Sequence, residues 1–166
     1  MKEIRLTKLT KENFEEYGTY TDLLNPRHPF YEAGQPQFYP DRTTVAIGKE
    51  GNLGISVSQE FKRDNVIEFA EIHQKTEEAM VCLDDDVIIY CAPATETKEL
   101  PLDYVQAFFI PKGTLVTIKP GVWHGCQFLQ NLEVGHVLVL LPERTYAKDC
   151  VLVELKEEDQ IRIVAE

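Results

Sequence analysis

Four residues have the types and the spacing for metal or acid–base chemistry: Glu71-x-His73-x4-Glu78, with His124 well downstream. Two imidazoles and two carboxylates suit Mn²⁺, Fe²⁺, Ni²⁺ or Zn²⁺ better than a soft metal ion. Without a metal, the same groups buried together form an acid–base set with mutually shifted pKa values. A plainer reading leaves Glu71 solvated at a barrel mouth, with His73 and His124 merely hydrogen-bonded inside.

Elements with alternating side chains must bring these residues together. Pro111 to His124, PKGTLVTIKPGVWH, sets an apolar run, Leu115 to Ile118, between a Pro-Lys-Gly turn and a Pro-Gly turn. On the strand after the second turn, Val122 and His124 share one face and Trp123 takes the other. In VIEFAEIH, alternation puts Ile67, Phe69, Glu71 and His73 on one face, and the two large apolar residues mark that face as interior. Glu78, Met80 and Cys82 share a face of the next run.

From Thr43 onward, short apolar runs alternate with turn residues. Strands are expected near Thr43–Ile47, Gly54–Glu60, Val66–His73, Ala79–Leu83, Val87–Ala92, Gln106–Ile110, Thr114–Ile118, Val122–Phe128, His136–Leu141, Val151–Leu155 and Ile161–Val164. Gly51-Asn52 and Asp84-Asp85-Asp86 read as hairpin tips, the aspartates as a solvated turn. One short helix is expected after Thr10, a good N-cap, with Gly18 as its C-terminal stop. The Pro-rich stretch from Thr19 to Asp41 reads as an arm over the barrel. The expectation is one all-β domain over residues 1–166, with the helix and arm in 1–42 and the barrel in 43–166.

The net charge of −11 over 166 residues disfavours nucleic acid and anionic membrane as partners. A small molecule or another subunit remains. The four cysteines show no CxxC spacing and no export signal precedes them, so reduced thiols and a cytoplasmic location are expected. The apolar arm from Leu23 to Pro40 suggests a clasp between the subunits of a homodimer.

The Glu71, His73, Glu78 spacing, Lys112-Gly113 and Pro120-Gly121-x-x-His124 resemble the two motifs of the cupin superfamily. Glu71 stands at the first His position of motif one, Asp85 where its Gly would be, and motif two is one residue shorter between Pro and Gly. The resemblance implies a double-stranded β-helix, or jelly-roll barrel, with Glu71, His73, Glu78 and His124 as ligands of a divalent metal. The chain also resembles the ureidoglycolate lyase branch of the cupins in LTKLTKENFEEYG, QFYPDR, GISV, AEIHQKTEEA, GVWH and KDCVLVEL. It departs where Ile118-Lys119-Pro120 replaces that family's Tyr-His-Arg, and where Gln37 to Asp41 replaces its Arg-Tyr-His-Asp. An arginine and a histidine suited to gripping a substrate carboxylate are thereby missing.

The resemblance implies cleavage of ureidoglycolate to glyoxylate and urea, in purine and allantoin nitrogen catabolism. In that reaction His124 would be the base and His73 or Glu78 the proton donor. Lys119 or Arg42 would take the carboxylate, with His136 as a further substrate-binding candidate. Two other readings compete: a metal-dependent cupin isomerase or dioxygenase acting on another polar substrate, and a non-catalytic cupin-like binding protein.

Overall fold

Apolar runs bracketed by turn residues fold into strands, which a computed structural model describes for residues 1–28, 39–49, 51–97 and 99–165. In chain order these are β1 (Lys2–Lys8), helix α1 (Lys11–Phe14), β2 (Gly18–Asp22), β3 (Leu53–Phe61), β4 (Val66–Ile67), β5 (Phe69–Ile72), β6 (Glu78–Cys82) and β7 (Val87–Cys91). Then follow β8 (Gln106–Ile110), β9 (Thr114–Ile118), β10 (Phe128–Leu129), β11 (Val134–Pro142), helix α2 (Thr145–Lys148), β12 (Val151–Glu154) and β13 (Ile161–Val164). One sheet runs β10-β7-β8-β1-β13-β4, a second β2-β9-β6-β11-β3, and β5 pairs with β12. The two large sheets face each other across a core in which Met80, Val116 and Val137 meet Val87, Ile89, Phe108 and Ile110. The architecture is all-β, as expected, with two large sheets packed face to face.

Each strand's alternation decides which core it feeds. In β7, Val87, Ile89 and Cys91 enter the core between the sheets, whereas Ile88, Tyr90 and Ala92 join Trp123, Phe128 and Ile161 in a second cluster. In β6, Met80 and Cys82 point inward while Ala79 and Val81 pack outside with Leu115. Glu78 has the inward parity, so the sheet carries a charged group into the interior.

The helix forms where its cap predicts. Thr10 Oγ1 accepts from the Asn13 amide and Asn13 Oδ1 accepts from the Thr10 amide, a reciprocal capping box. Gly18 is not its stop, because the helix ends at Phe14 and Gly18 begins β2. A Cβ at Gly18 would overlap the Thr117 carbonyl on β9, so glycine is required by the close strand approach.

Several expected elements differ. Thr43–Ile47 is extended but not a strand, so Gly51-Asn52 closes no hairpin. Val122–Phe128 reduces to isolated bridges at Trp123 and His124 and the short β10. The N-terminal segment contributes β1, which pairs in parallel with β13 and β8, and β2, which pairs with β9. Most of the proposed clasp, residues 29–38, lies outside the described residues.

The three aspartates do not tip a hairpin, because β6 and β7 belong to different sheets. Asp85 is 3% exposed, and its carboxylate accepts from the amides of Asp86, Gln130, Asn131 and Leu132 and from Asn131 Nδ2. It ties the crossing between the sheets to the loop before β11.

Candidate functional site

Two backbone bridges create the site. The chain breaks between β4 and β5 at Glu68, which reverses the parity read from sequence: Ile67, Ala70 and Ile72 all enter the second core cluster. Phe69 is only half-buried. The pairing of Glu71 with His73 survives the break because both lie on its far side. The Glu71 amide donates to the His124 carbonyl at 2.7 Å and the His124 amide returns a bond to Glu71 at 3.0 Å. The Gly121 amide donates to the His73 carbonyl at 2.7 Å, and its φ of +80° suits glycine at that turn. The Pro-Gly turn is thereby anchored to the strand that carries Glu71.

His73, Glu78 and His124 converge with ligand atoms within 4.8 Å of one another, and all three are buried. Glu78 Oε2 lies 3.0 Å from His73 Nε2 and 3.4 Å from His124 Nε2. Each histidine spends its other nitrogen on a backbone carbonyl: His73 Nδ1 donates to Asp149 at 2.8 Å and His124 Nδ1 to Val122 at 2.9 Å. Both Nδ1 atoms must carry hydrogen, since a carbonyl only accepts, and both Nε2 atoms then face Glu78. His124 Nε2 is fully buried and has no hydrogen-bond partner among the described residues.

The electrostatics are mutual. Burial opposes protonation of His124, but the Glu78 carboxylate overrides it and raises the imidazole above its ordinary range. His73 moves the same way for the same pair of reasons. Burial likewise opposes ionisation of Glu78, and the two imidazoles outweigh it, holding the carboxyl low. The carboxylate thus favours protonation of both imidazoles, and they favour its ionised form.

A cavity of about 120 Å³ opens onto His73 and Glu78, with His124 buried behind them. Its walls are Ser58 and Glu60 of β3, Glu71 and His73, the Gly125–Gln127 segment, and Val139 and Leu141 of β11, with the exposed Tyr146 of α2 at the rim. Cys150 Sγ donates to Glu71 Oε2 at 3.1 Å. Burial pushes the thiols of Cys126 and Cys150 up to about 11 and about 12, so neither is an activated nucleophile.

Of the residues named from sequence, His73, Glu78 and His124 are brought together, and Glu71 lines the same cavity. Lys119 lies elsewhere: its Nζ donates to the carbonyls of Glu15 and Glu16. Arg42 Nη1 donates to the Arg27 carbonyl. His136 Nδ1 meets Asp84 Oδ2 at 2.7 Å on the outer side of β11. None of these three lines the cavity, and its described walls contain no lysine or arginine. Glu60, Ser58, Gln127 and Tyr146 have no motif to mark them.

Over residues 1–162 the sequence matches the family described as ureidoglycolate lyase. The chain belongs to the ureidoglycolate lyase family, and the family is one of enzymes. It is 28% identical over 127 residues to a ureidoglycolate lyase of Rhodobacter capsulatus, covering 75% of this chain and 78% of that protein. Among solved structures it is similar to a dTDP sugar isomerase from Desulfovibrio desulfuricans G20, with a TM-score of 0.49 at 14% identity over 80% of this chain and 76% of that one. It is also similar to dTDP-4-dehydrorhamnose 3,5-epimerase from Elizabethkingia anophelis NUHP1, with a TM-score of 0.45 at 10% identity over 68% and 66% of the two chains. The segment Gly121-Val122-Trp123-His124, which carried the resemblance in the sequence, is bridged to Glu71 through His124. Trp123 is fully buried and His124 turns toward Glu78.

Proposed function

We propose that this chain is a single-domain ureidoglycolate lyase that splits ureidoglycolate into glyoxylate and urea at the His73–Glu78–His124 cavity. The convergence of these three buried side chains, in a member of that family, carries the reading. The substrate carbon bears a hydroxyl and a ureido nitrogen, so cleavage adds no water. The hydroxyl proton leaves, the carbonyl forms, the C–N bond breaks and the nitrogen gains a proton. The trio suits this transfer because Glu78 stands between two imidazoles, within reach of both Nε2 atoms. His73 and Glu78, which line the cavity, meet the substrate, and His124 behind them takes and returns the proton through Glu78. Glu78 and His73 hold that proton and relay it, so the one taken from oxygen replaces the one given to nitrogen.

The same side chains fit a divalent metal. Both Nδ1–H groups are bound to carbonyls, both Nε2 atoms converge with a carboxylate oxygen, and one Nε2 is orphaned, the outer-shell pattern of histidine ligands. His73, Glu78 and His124 would hold the ion, with Glu71 beside them. Such an ion would polarise the hydroxyl and supply the positive charge that the cavity walls lack.

Glyoxylate release from racemic ureidoglycolate, measured on protein as purified, after chelation and after Mn²⁺ addition, tests both statements. Turnover far above the spontaneous rate is expected in the purified protein. Loss on chelation with recovery on Mn²⁺ addition assigns the trio to the ion, whereas activity indifferent to the chelator assigns it to proton transfer alone. No turnover in any arm removes the lyase reading in favour of a different polar substrate.

In our reading the enzyme is cytoplasmic and binds neither nucleic acid nor membrane; no described helix is long and apolar enough to cross a bilayer. It works as a homodimer. β3 is an edge strand nine residues long, and Leu53, Ile55, Val57 and Phe61 on its outer face are 44%, 71%, 59% and 58% exposed. A long, apolar, uncovered edge invites pairing. Antiparallel pairing of β3 with a second copy about Val57 sets Leu53 against Phe61 and Ile55 against Gln59, joining the two apolar faces without opposing charges. Sedimentation at micromolar concentration should show a dimer that Val57→Asp dissociates; a 19.0 kDa species in the unsubstituted protein rejects it.

A further inference from the structure

Glu60 is a buried carboxylate on the cavity wall that the proton transfer above does not use. It is 5% exposed and sits on β3, with its side chain turned into the space shared with Glu71 and Glu78. Its Oε1 accepts from Ser58 Oγ at 2.6 Å and its Oε2 from Arg63 Nη1 at 3.3 Å. Arg63 lies outside the described cavity lining, 4.4 Å from the Phe128 ring centroid. This arrangement compensates the charge from behind and keeps Glu60 an acceptor. An ionised carboxylate has about four lone-pair sites, and these two donors fill two of them.

The cavity is small. At about 120 Å³ it offers the volume of roughly four waters, so a ligand inside it must touch several walls. A ligand group against Glu60 must donate hydrogen bonds, because an anionic oxygen would meet a carboxylate with no lysine or arginine on the described walls to offset it. The hydroxyl and carboxylate of a ureido acid belong at the imidazoles. Its other end presents N–H groups spaced to meet the two oxygens of a carboxylate, as in forked pairing of planar donors with carboxylates.

We infer that Glu60 is the residue that recognises the ureido group, orienting the substrate with its urea nitrogens toward β3 and its hydroxyl toward His73 and Glu78. The inference rests on the lyase reading for its substrate but concerns binding alone. It sets the class of ligand admitted: small acids bearing a urea or similar N–H fork, in preference to plain hydroxy acids.

Calorimetric binding of N-carbamoylglycine and of glycolate to the full-length protein tests this. The first compound carries the ureido group but lacks the hydroxyl needed for cleavage; the second carries the hydroxyl and carboxylate only. Glu60→Gln is expected to weaken N-carbamoylglycine about tenfold or more, the scale of a lost charge-assisted hydrogen bond, and to leave glycolate within about twofold. Ser58→Ala, which keeps the carboxylate but frees its position, should weaken N-carbamoylglycine to a smaller extent. In turnover, Glu60→Gln should raise KM for ureidoglycolate by a similar factor and change kcat less. Equal weakening of both ligands would mean that Glu60 only braces Arg63 and the wall, and unchanged N-carbamoylglycine binding would remove it from recognition. Either result overturns the inference, as does unsubstituted protein that binds no N-carbamoylglycine. Unsubstituted protein that binds N-carbamoylglycine but cleaves no ureidoglycolate would overturn the lyase reading and leave the ureido subsite standing.

Discussion

Glyoxylate release by His124→Ala is expected to fall about a thousandfold, within the range lost when a positioned proton-transfer group is removed. His124 is buried, its Nε2 has no hydrogen-bond partner among the described residues, and it faces Glu78 at 3.4 Å. In the proposed mechanism alanine removes the imidazole that takes the proton through Glu78 and one of the nitrogens that would hold an ion. The fold should tolerate the change, because the bridge between residues 71 and 124 is made by backbone atoms, which alanine retains. Glu78 also keeps its 3.0 Å contact with His73. The costs are the void left by the ring and the Val122 carbonyl that loses its Nδ1–H donor, together about 2–3 kcal/mol. Far-UV circular dichroism and a cooperative melt would confirm the fold, and kcat/KM would read the chemistry. A folded variant with activity within tenfold of the unsubstituted enzyme takes His124 out of the mechanism.

The largest stability effect is expected far from that chemistry. Asp85→Ala should cost about 3 kcal/mol, because five donors that now end on one carboxylate are left without it. For a chain of this length that lowers Tm by roughly 10 °C. Burial of Asp85 disfavours its charge, but the Leu132, Asn131 and Gln130 amides and the Asn131 side chain outweigh it, pulling the pKa from 3.8 to about 2. The sign follows directly. A carboxyl whose folded-state pKa is depressed contributes stability above its unfolded pKa and loses it as pH falls through the folded one. This contribution, about 2 kcal/mol, is complete above pH 3.8 and fades toward pH 2. Denaturant unfolding across that window should show the unsubstituted protein losing stability that the variant never had. Parallel pH curves for the two proteins would show that Asp85 does not hold the loop. Lyase activity per folded molecule should be unaffected, since Asp85 does not line the cavity.

The two aspects of this protein differ in how far local sequence reaches. Strand periodicity and turn residues fixed the all-β class, the inward parity of Glu78 and the opposed faces of Trp123 and His124, because alternation is a property of the strand itself. The cap at Thr10 was equally local. His73, Glu78 and His124 were legible as a set because strand parity aims side chains before any sheet is assembled.

What local pattern could not carry was register, and breaks in it. The interruption at Glu68 turns Ile67, Ala70 and Ile72 to one core, so the apolar alternation that pointed Glu71 inward was the wrong reason for the right neighbour. β3 reverses the usual rule. Ile55 and Val57 face outward while Ser58 and Glu60 line the cavity, since β3 ends its sheet beside a polar site. Lys119 looked like a substrate cation because it falls where the resembled family has Tyr-His-Arg, yet the carbonyls after α1 hold its ammonium. Asp85 looked like a solvated turn because four of its five donors arrive from backbone and side chain about 45 residues away in sequence. Sequence determined the types and facing of the reactive groups. Only tertiary structure decided which charges meet them, because a side chain's partners depend on strands paired across the whole chain.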